Sequence, residues 1–326
     1  MLNRRPIFVN GFSRGGTTIL TNLLASHPDV CTVAETHQLF KGQTVTDSLW
    51  RILQKCVLYD APILISLRQD FFSPRLIKPR KPLSPSLRWF VDRVIYHEKV
   101  RSRSTIFNRF KCPNVEYTHE EITTARLVAK NVDGMIYATD AFAEMYPDAT
   151  FVGLVRNGLA LCEGHLRRGR SAVEIGRRYR QLGDKMVHDA ERLPRYRIFR
   201  FEDLMHDAHG YLRQLYQHAQ LDVQRLKRVR MQLRRVMDAT GNHRLTSGAE
   251  WDVVWLDVAN FDTFFQQRVN QNQIQRLSAA DRNAFLDEAG ATMERLGYAT
   301  EIESHDEPDV VPFPGLAEAP HVRSAA

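Results

Sequence analysis

The stretch from Pro6 to Ser26 constrains the fold more than any other part of the chain. Pro6-Ile7-Phe8-Val9-Asn10 is a short apolar run of the kind buried on both faces of a parallel sheet. Gly11-Phe12-Ser13-Arg14-Gly15-Gly16 breaks it, and Ile19, Leu20, Leu23 and Leu24 then recur at helical spacing between Thr17 and Ser26. A Gly-rich turn between strand and helix lets backbone N–H groups converge on an anion where the helix dipole favours negative charge. The pattern goes on. A second strand is expected at Val30 to Val33, others at Arg126 to Lys130, Thr150 to Val155 and Tyr196 to Arg200. Helical patterns end near Tyr146-Pro147-Asp148, fill Leu204 to about Met237, and return from Ser278 to Leu296. Strands alternating with helices predict an α/β fold, a central mostly parallel sheet flanked by helices. No internal repeat is visible.

The 326 residues allow two small domains or one large α/β unit at roughly 150 residues per domain. Hydrophobic residues at 43% and charged residues at 25% exclude collagen-like, coiled-coil and wholly disordered chains. We read one domain over 1–300, with a variable insert at about 46–121 and a flexible tail at 301–326 rich in Asp, Glu, Pro and Ala. Lys and Arg total 45 against 38 Asp and Glu, a formal charge of +7 that favours an anionic ligand or surface. No apolar run approaches the roughly 18 residues of a membrane span. The N-terminal residues lead straight into the first strand, with no apolar secretory segment before it. Cys31, Cys56, Cys112 and Cys162 are widely spaced and form no CxxC pair, which predicts reduced thiols in a cytoplasmic chain rather than disulfides or structural zinc.

The turn register is Gly11-Phe12-Ser13-Arg14-Gly15-Gly16-Thr17-Thr18. It nearly matches the phosphate loop of kinases and ATPases, but Thr17 stands where that loop has its lysine. The main cation for a γ-phosphate is thus missing, and Arg14 supplies one elsewhere in the turn. No clear magnesium-binding aspartate follows an apolar strand, so ATP chemistry is disfavoured.

Gly11 to Leu20 resembles the 5′-phosphosulfate loop of sulfotransferases that use 3′-phosphoadenosine 5′-phosphosulfate (PAPS). The bacterial and tyrosylprotein branches, with arginine in this loop, are the nearest match. Phe151-Val152-Gly153-Leu154-Val155-Arg156-Asn157-Gly158 is similar to the family's strand-and-turn motif for the 3′-phosphate. Arg200-Phe201-Glu202-Asp203-Leu204 resembles its late strand ending in an acidic pair, and Met293-Glu294-Arg295-Leu296-Gly297-Tyr298 its closing helix. These segments occur in the family's order and cover residues 6 to about 298.

The resemblance implies a P-loop-like sulfotransferase fold and assigns roles. Arg14, Gly15, Gly16, Thr17 and Thr18 would cradle the 5′-phosphate, with Arg14 also at the bridging oxygen. Arg156 would hold the 3′-phosphate through its bidentate fork. Glu35 is the expected base for the acceptor, 21 positions after Arg14, and His37 is the alternative base on the same side of an extended chain. Lys130 would stabilise the transition state, while Glu202 and Asp203 hold the fold. PAPS is the implied co-substrate, 3′-phosphoadenosine 5′-phosphate the product, and no metal is implied.

Two departures stand out. The family usually has serine eight positions after the 3′-phosphate arginine, and here that position is Gly164. His165, Arg167, Arg168 or a backbone N–H could stand in. Arg244 and Trp251 keep the spacing of the cytosolic branch's nucleotide cap, but Leu245 and Thr246 replace its Lys-Gly pair. Between about 71 and 111, many Arg and Lys residues alternate with Phe71, Phe72, Trp89, Phe90, Tyr96 and Phe107. This stretch reads as an acceptor platform, as a nucleic-acid surface without a recognised motif, or as a solvated basic face with inward aromatics. The expected activity is sulfuryl transfer to a hydroxyl or amine of a small-molecule, glycan or lipid-linked acceptor, with peripheral membrane contact open and no nucleic acid expected. The alternative is a nucleotide-binding regulatory protein or pseudoenzyme of the same fold, which would have no use for Glu35.

Overall fold

A computed structural model describes residues 1–36, 85–101, 118–233, 252–265 and 269–300. Five strands form one parallel sheet: β1 (Ile7–Gly11), β2 (Val30–Glu35), β3 (Arg126–Val132), β4 (Thr150–Val155) and β5 (Tyr196–Arg200). Their order is β2-β3-β1-β4-β5, with Val9 beside Lys130 on one side and Val152 on the other. The expected mostly parallel α/β sheet is present. The chain runs from β1 to β2 and β3 on one side and crosses from β3 to β4 on the other side of β1, a reversal that opens a crevice at the carboxyl ends of the central strands, where open α/β sheets bind ligands.

The alternation of side chains builds two cores from one sheet. Phe8, Leu127, Ala129 and Phe151 face one layer, while Ile7, Val9, Val128, Val152 and Leu154 face the other. All are at most 2% exposed, which explains why β1, β3 and β4 read as apolar runs rather than alternating ones. The first layer is covered by α2 (Pro85–Arg101), α3 (His119–Thr124), α4 (Thr139–Met145), α5 (Gly158–Leu166) and α6 (Ala172–Arg192). Phe8 stacks on Phe142 at 4.4 Å and on Phe151 at 5.5 Å there. On the second layer lie α1 (Thr17–Ala25), α7 (Phe201–His206) and α8 (Ala208–Ala219). β6 (Arg228–Leu233) and β7 (Asp252–Asp257) pack on that second layer too, whereas α9 (Val269–Ile274) and α10 (Ala279–Arg295) return to the first. Ser278 caps α10 by accepting from the Asp281 N–H at 3.0 Å.

One expectation fails here. The helical reading of Leu204 to Met237 holds through α7 and α8, but Arg228–Leu233 is a strand, antiparallel to β7. Val229 and Met231 point inward against α1, and the Arg230 N–H donates to Ser26 Oγ at 2.7 Å. Its partner strand lies some twenty residues on, so nothing local in the sequence announced the pairing.

Of the basic stretch, only α2 falls within the described residues. Val91 and Ile95 are buried, Trp89 is exposed with Arg93 stacked 4.7 Å from its ring, and buried Lys99 donates to the Thr123 and Ala125 carbonyls at 3.0 Å. Phe71, Phe72, Phe107, Arg244, Trp251, Cys56, Cys112 and the 301–326 tail lie outside the described residues. Cys31 and Cys162 are buried thiols that form no disulfide. Among the described residues no helix is long and apolar enough to cross a membrane.

Candidate active site

The turn between β1 and α1 is held in a conformation few residues adopt. The Gly15 N–H donates to the Phe12 carbonyl at 3.0 Å, Arg14 has φ 68° and Gly16 has φ 90°. A Cβ at Gly16 would come within 2.4 Å of the Phe201 ring, so the position requires glycine twice over. Gly16 is also the N-cap of α1, and no side chain caps that end. The Ile19 N–H donates to the Gly16 carbonyl at 2.9 Å, and the Thr17 and Thr18 N–H groups at the start of α1 have no side-chain cap. An anion suits that place. Arg14 is exposed at the rim and Thr17 is buried beneath it.

Three expected residues meet beside this loop. Lys130 Nζ lies 3.1 Å from Glu35 Oε1 and donates to Thr18 Oγ1 at 3.3 Å. Lys130 is 3% exposed and Glu35 25%, so the carboxylate is the partner open to the crevice. Glu35 comes opposite Lys130 because the β2–β3 register shifts between Thr32 and Glu35. Such bulges re-aim side chains and are frequent near active sites. A buried polar chain pins the floor: Thr36 Oγ1 lies 3.0 Å from the Lys130 carbonyl and 2.8 Å from Asn131 Oδ1. Asn131 donates to Asn10 Oδ1 at 2.9 Å, and Asn10 donates to Thr139 Oγ1 at 2.7 Å. His37, the alternative base, lies outside the described residues.

Arg156 follows β4 and is 7% exposed. Its Nη1 donates to the Arg14 carbonyl at 2.9 Å, its Nε to Asn270 Oδ1 at 2.8 Å and its Nη2 to Gln273 Oε1. The guanidinium carbon lies 4.7 Å from the centre of the Phe201 ring. Burial pulls the pKa of Arg156 down, and Glu202 and Glu163 oppose that shift. Neither carboxylate pairs with it directly. Asn270 Nδ2 donates to Glu202 Oε1, and Gln273 Nε2 donates to Glu163 Oε2 at 3.2 Å. Glu202 also accepts from the Asn157 N–H at 2.9 Å and from the Tyr298 hydroxyl at 2.7 Å, tying the crevice wall to the end of the domain.

Gly164 lies on α5 beneath Gln273, whose Nε2 would be 3.9 Å from a Cβ built there. His165 turns the other way, with Nε2 3.3 Å from both the hydroxyl and the carbonyl of Ser13. Arg167 pairs with Glu163 at 3.0 Å. The amide of Gln273 therefore occupies the neighbourhood for which His165 and Arg167 were considered.

Behind the loop, Asp133 takes the Ser13 N–H at 2.9 Å from a left-handed backbone, φ 52°. Burial raises its carboxyl above the usual carboxylate range, against the pull of the Ser13 N–H and Arg178. Arg178 is 6% exposed, with none of its three nitrogens hydrogen-bonded. It faces Asp133 across a cavity of about 20 Å³, room for one water, lined also by Phe12, His165 and Tyr179. Sequence reasoning missed Asp133, Arg178, Asn270 and Gln273. Only the last pair left a trace, two amides three positions apart in the run Asn270-Gln271-Asn272-Gln273, which a helix brings to one face. Among the described residues no group of three or more His, Cys, Asp or Glu side chains could hold a metal ion.

The model of the sulfotransferase family matches residues 6–225, two thirds of the chain and all five strands of the sheet. The chain belongs to the sulfotransferase family. A sulfotransferase domain from the Synechococcus PCC 7002 olefin synthase is similar at 16% identity, covering 91% of this chain and 96% of that one, with a TM-score of 0.48. A sulfotransferase domain from the curacin biosynthetic pathway shares 14% identity over 91% and 99% of the two chains, TM-score 0.48. The sulfotransferase STF1 of Mycobacterium tuberculosis H37Rv shares 17% over 84% and 77%, TM-score 0.38. Among curated proteins no relative was found. The family assignment rests on the 6–225 match, and α9 and α10 lie beyond it.

Proposed function

We propose that this sulfotransferase moves a sulfuryl group from PAPS to a hydroxyl or amine of a small-molecule, glycan or lipid-linked acceptor, with Glu35 as the base. The observation that carries the reading is the meeting of Lys130 Nζ with Glu35 Oε1 and Thr18 Oγ1 at the edge of the turn. A cation and a carboxylate side by side at the mouth of an anion-binding turn suit in-line transfer, where charge builds on the leaving oxygen and a proton must leave the acceptor. The residues fit the donor: an uncapped helix start, a glycine cradle and Arg14 within one turn of chain. When bound, the donor supplies a sulfur–oxygen bond whose leaving group is a phosphate.

Glu35 takes the acceptor's proton as the acceptor atom bonds to sulfur. Lys130 and Arg14 meet the negative charge left on the bridging phosphate oxygen as its bond to sulfur breaks. Thr17, Thr18 and the first N–H groups of α1 hold the 5′-phosphate, and Arg156 takes the 3′-phosphate. Most of the rate then comes from positioning and electrostatic stabilisation, as in phosphoryl transfer.

The test is release of 3′-phosphoadenosine 5′-phosphate from PAPS across a panel of hydroxyl and amine acceptors. Glu35→Gln is expected to lower kcat by about 10²- to 10⁴-fold, the usual range for general-base catalysis, while product affinity stays within about threefold. Unchanged turnover in Glu35→Gln would remove it as the base. No turnover with any acceptor, alongside intact nucleotide binding, would favour a binding protein of the same fold.

A further inference from the structure

The three hydrogen bonds of Arg156 bear on how the site recognises its nucleotide. Nε and Nη2 form the side-on edge of a guanidinium, the edge that grips two oxygens of one phosphate or carboxylate. Here that edge holds two amide oxygens, Asn270 Oδ1 and Gln273 Oε1, from successive turns of α9. The two oxygens occupy the positions that a pair of phosphate oxygens would take. A given N–H cannot serve an amide oxygen and a phosphate oxygen together.

We propose that Asn270 and Gln273 form a latch that holds the phosphate-gripping edge of Arg156 closed and releases it to a 3′-phosphate. This rests on the reading of the site as a PAPS site and adds a moving part to it. A phosphate dianion adds ion pairing and a bidentate fit on the guanidinium that neutral amide oxygens lack, so it wins the exchange. A neutral 3′-hydroxyl does not compete, and α9 stays in place.

The surroundings suit a reversible contact. The amide nitrogens of Asn270 and Gln273 are held by Glu202 and Glu163, so the amides lie between the buried cation and two carboxylates. Asn270 and Gln273 are themselves half-buried, so the contact lies within reach of solvent. On the inner side Ile274 packs on the core, Leu277 is buried and Arg276 pairs with Glu163 at 3.1 Å. That end anchors the segment while the Asn270–Gln273 face swings off Arg156. The Gln273 amide packs over Gly164, its Nε2 3.9 Å from a Cβ built there. The pair comes from a helix outside the span matched by the family model, so the closure belongs to this chain's own C-terminal part.

Two measurements on the full chain test it. In hydrogen–deuterium exchange, saturating 3′-phosphoadenosine 5′-phosphate is expected to raise exchange across residues 269–277, and saturating ADP to leave it unchanged. In calorimetric titrations, Asn270→Ala/Gln273→Ala is expected to bind 3′-phosphoadenosine 5′-phosphate several-fold more tightly than the wild type, with ADP affinity within twofold. Weaker binding of the 3′-phosphorylated nucleotide by the double variant would overturn the proposal and make the amides direct contacts of the phosphate. Protection of 269–277 by that nucleotide would overturn it in the wild type, whatever the variant's folding. If the wild type prefers the 3′-phosphorylated nucleotide but α9 does not respond, this inference alone falls. If the wild type has no such preference, the PAPS reading falls with it.

Discussion

Arg156 Nη1 donates to the backbone carbonyl of Arg14 at 2.9 Å, so the arginine after β4 braces the turn after β1. The two cations expected to grip opposite ends of one nucleotide are thus mechanically linked. Removing the Arg156 side chain strips the turn of this support and leaves Asn270 and Gln273 oxygens without their donor. Arg156→Ala is expected to lose about 1–3 kcal/mol of stability, the usual cost of orphaned buried acceptors. Its affinity for 3′-phosphoadenosine 5′-phosphate should fall at least about tenfold, a loss of one charge-assisted contact. ADP should lose less. Thermal unfolding and calorimetry check the two effects separately.

Lys130 contributes on the other side of the turn. Lys130→Ala removes the cation between Glu35 and Thr18. We expect kcat to fall by about 10²- to 10³-fold, the range for loss of one donor to developing charge, with a smaller change in KM. A steady-state profile with varied PAPS decides it, and a variant with unchanged kcat would place Lys130 in the scaffold.

Gly16→Ala is the sharpest probe of the loop itself. The left-handed φ of 90° and the Phe201 ring 2.4 Å from a built Cβ both oppose a side chain. Strain of this type costs about 1–3 kcal/mol. Urea unfolding is expected to show that loss, together with weakened nucleotide binding because α1 no longer begins at the same place.

The loop and the five parallel strands were largely legible in the sequence, and Glu35 and Lys130 were each singled out there, though not their pairing. Apolar runs flanked by glycine carry their own signal, and Thr150 to Val155 and Tyr196 to Arg200 lie where they were expected. The limits are equally physical. The β6–β7 pair depends on a distant partner strand. Asp133 owes its role to a left-handed backbone that brings its carboxylate to Ser13, and Arg178 reaches it from another helix. The Arg156–Asn270–Gln273 contact joins residues more than a hundred positions apart. Local patterns do not report such meetings.

His27 gives the fold a pH dependence of defined sign. Its Nδ1 accepts from the Asp29 N–H at 3.1 Å, and its Nε2 lies 3.0 Å from the Asp222 carbonyl, a pattern only the neutral ring satisfies. Burial lowers its pKa from 6.5, with the Asp222 carbonyl opposing. The unfolded chain therefore binds the proton more readily, so this contribution is present above 6.5 and is lost as the pH falls through 6.5 toward the folded value. Unfolding free energies between pH 8 and 5 are expected to decline, with a shallower slope in His27→Gln. An equal slope in the variant would assign the dependence to other groups.

The central claim is that the crevice recognises a 3′-phosphorylated adenine nucleotide as the carrier of the sulfuryl group. The most direct measurement is calorimetric titration of wild-type protein with 3′-phosphoadenosine 5′-phosphate, ADP and ATP in parallel. We expect the 3′-phosphorylated nucleotide to bind at least about tenfold more tightly than ADP, the worth of one charge-assisted phosphate contact. ATP should bind no better than ADP. A preference for ATP, equal affinities for the three, or no binding of any would contradict the account.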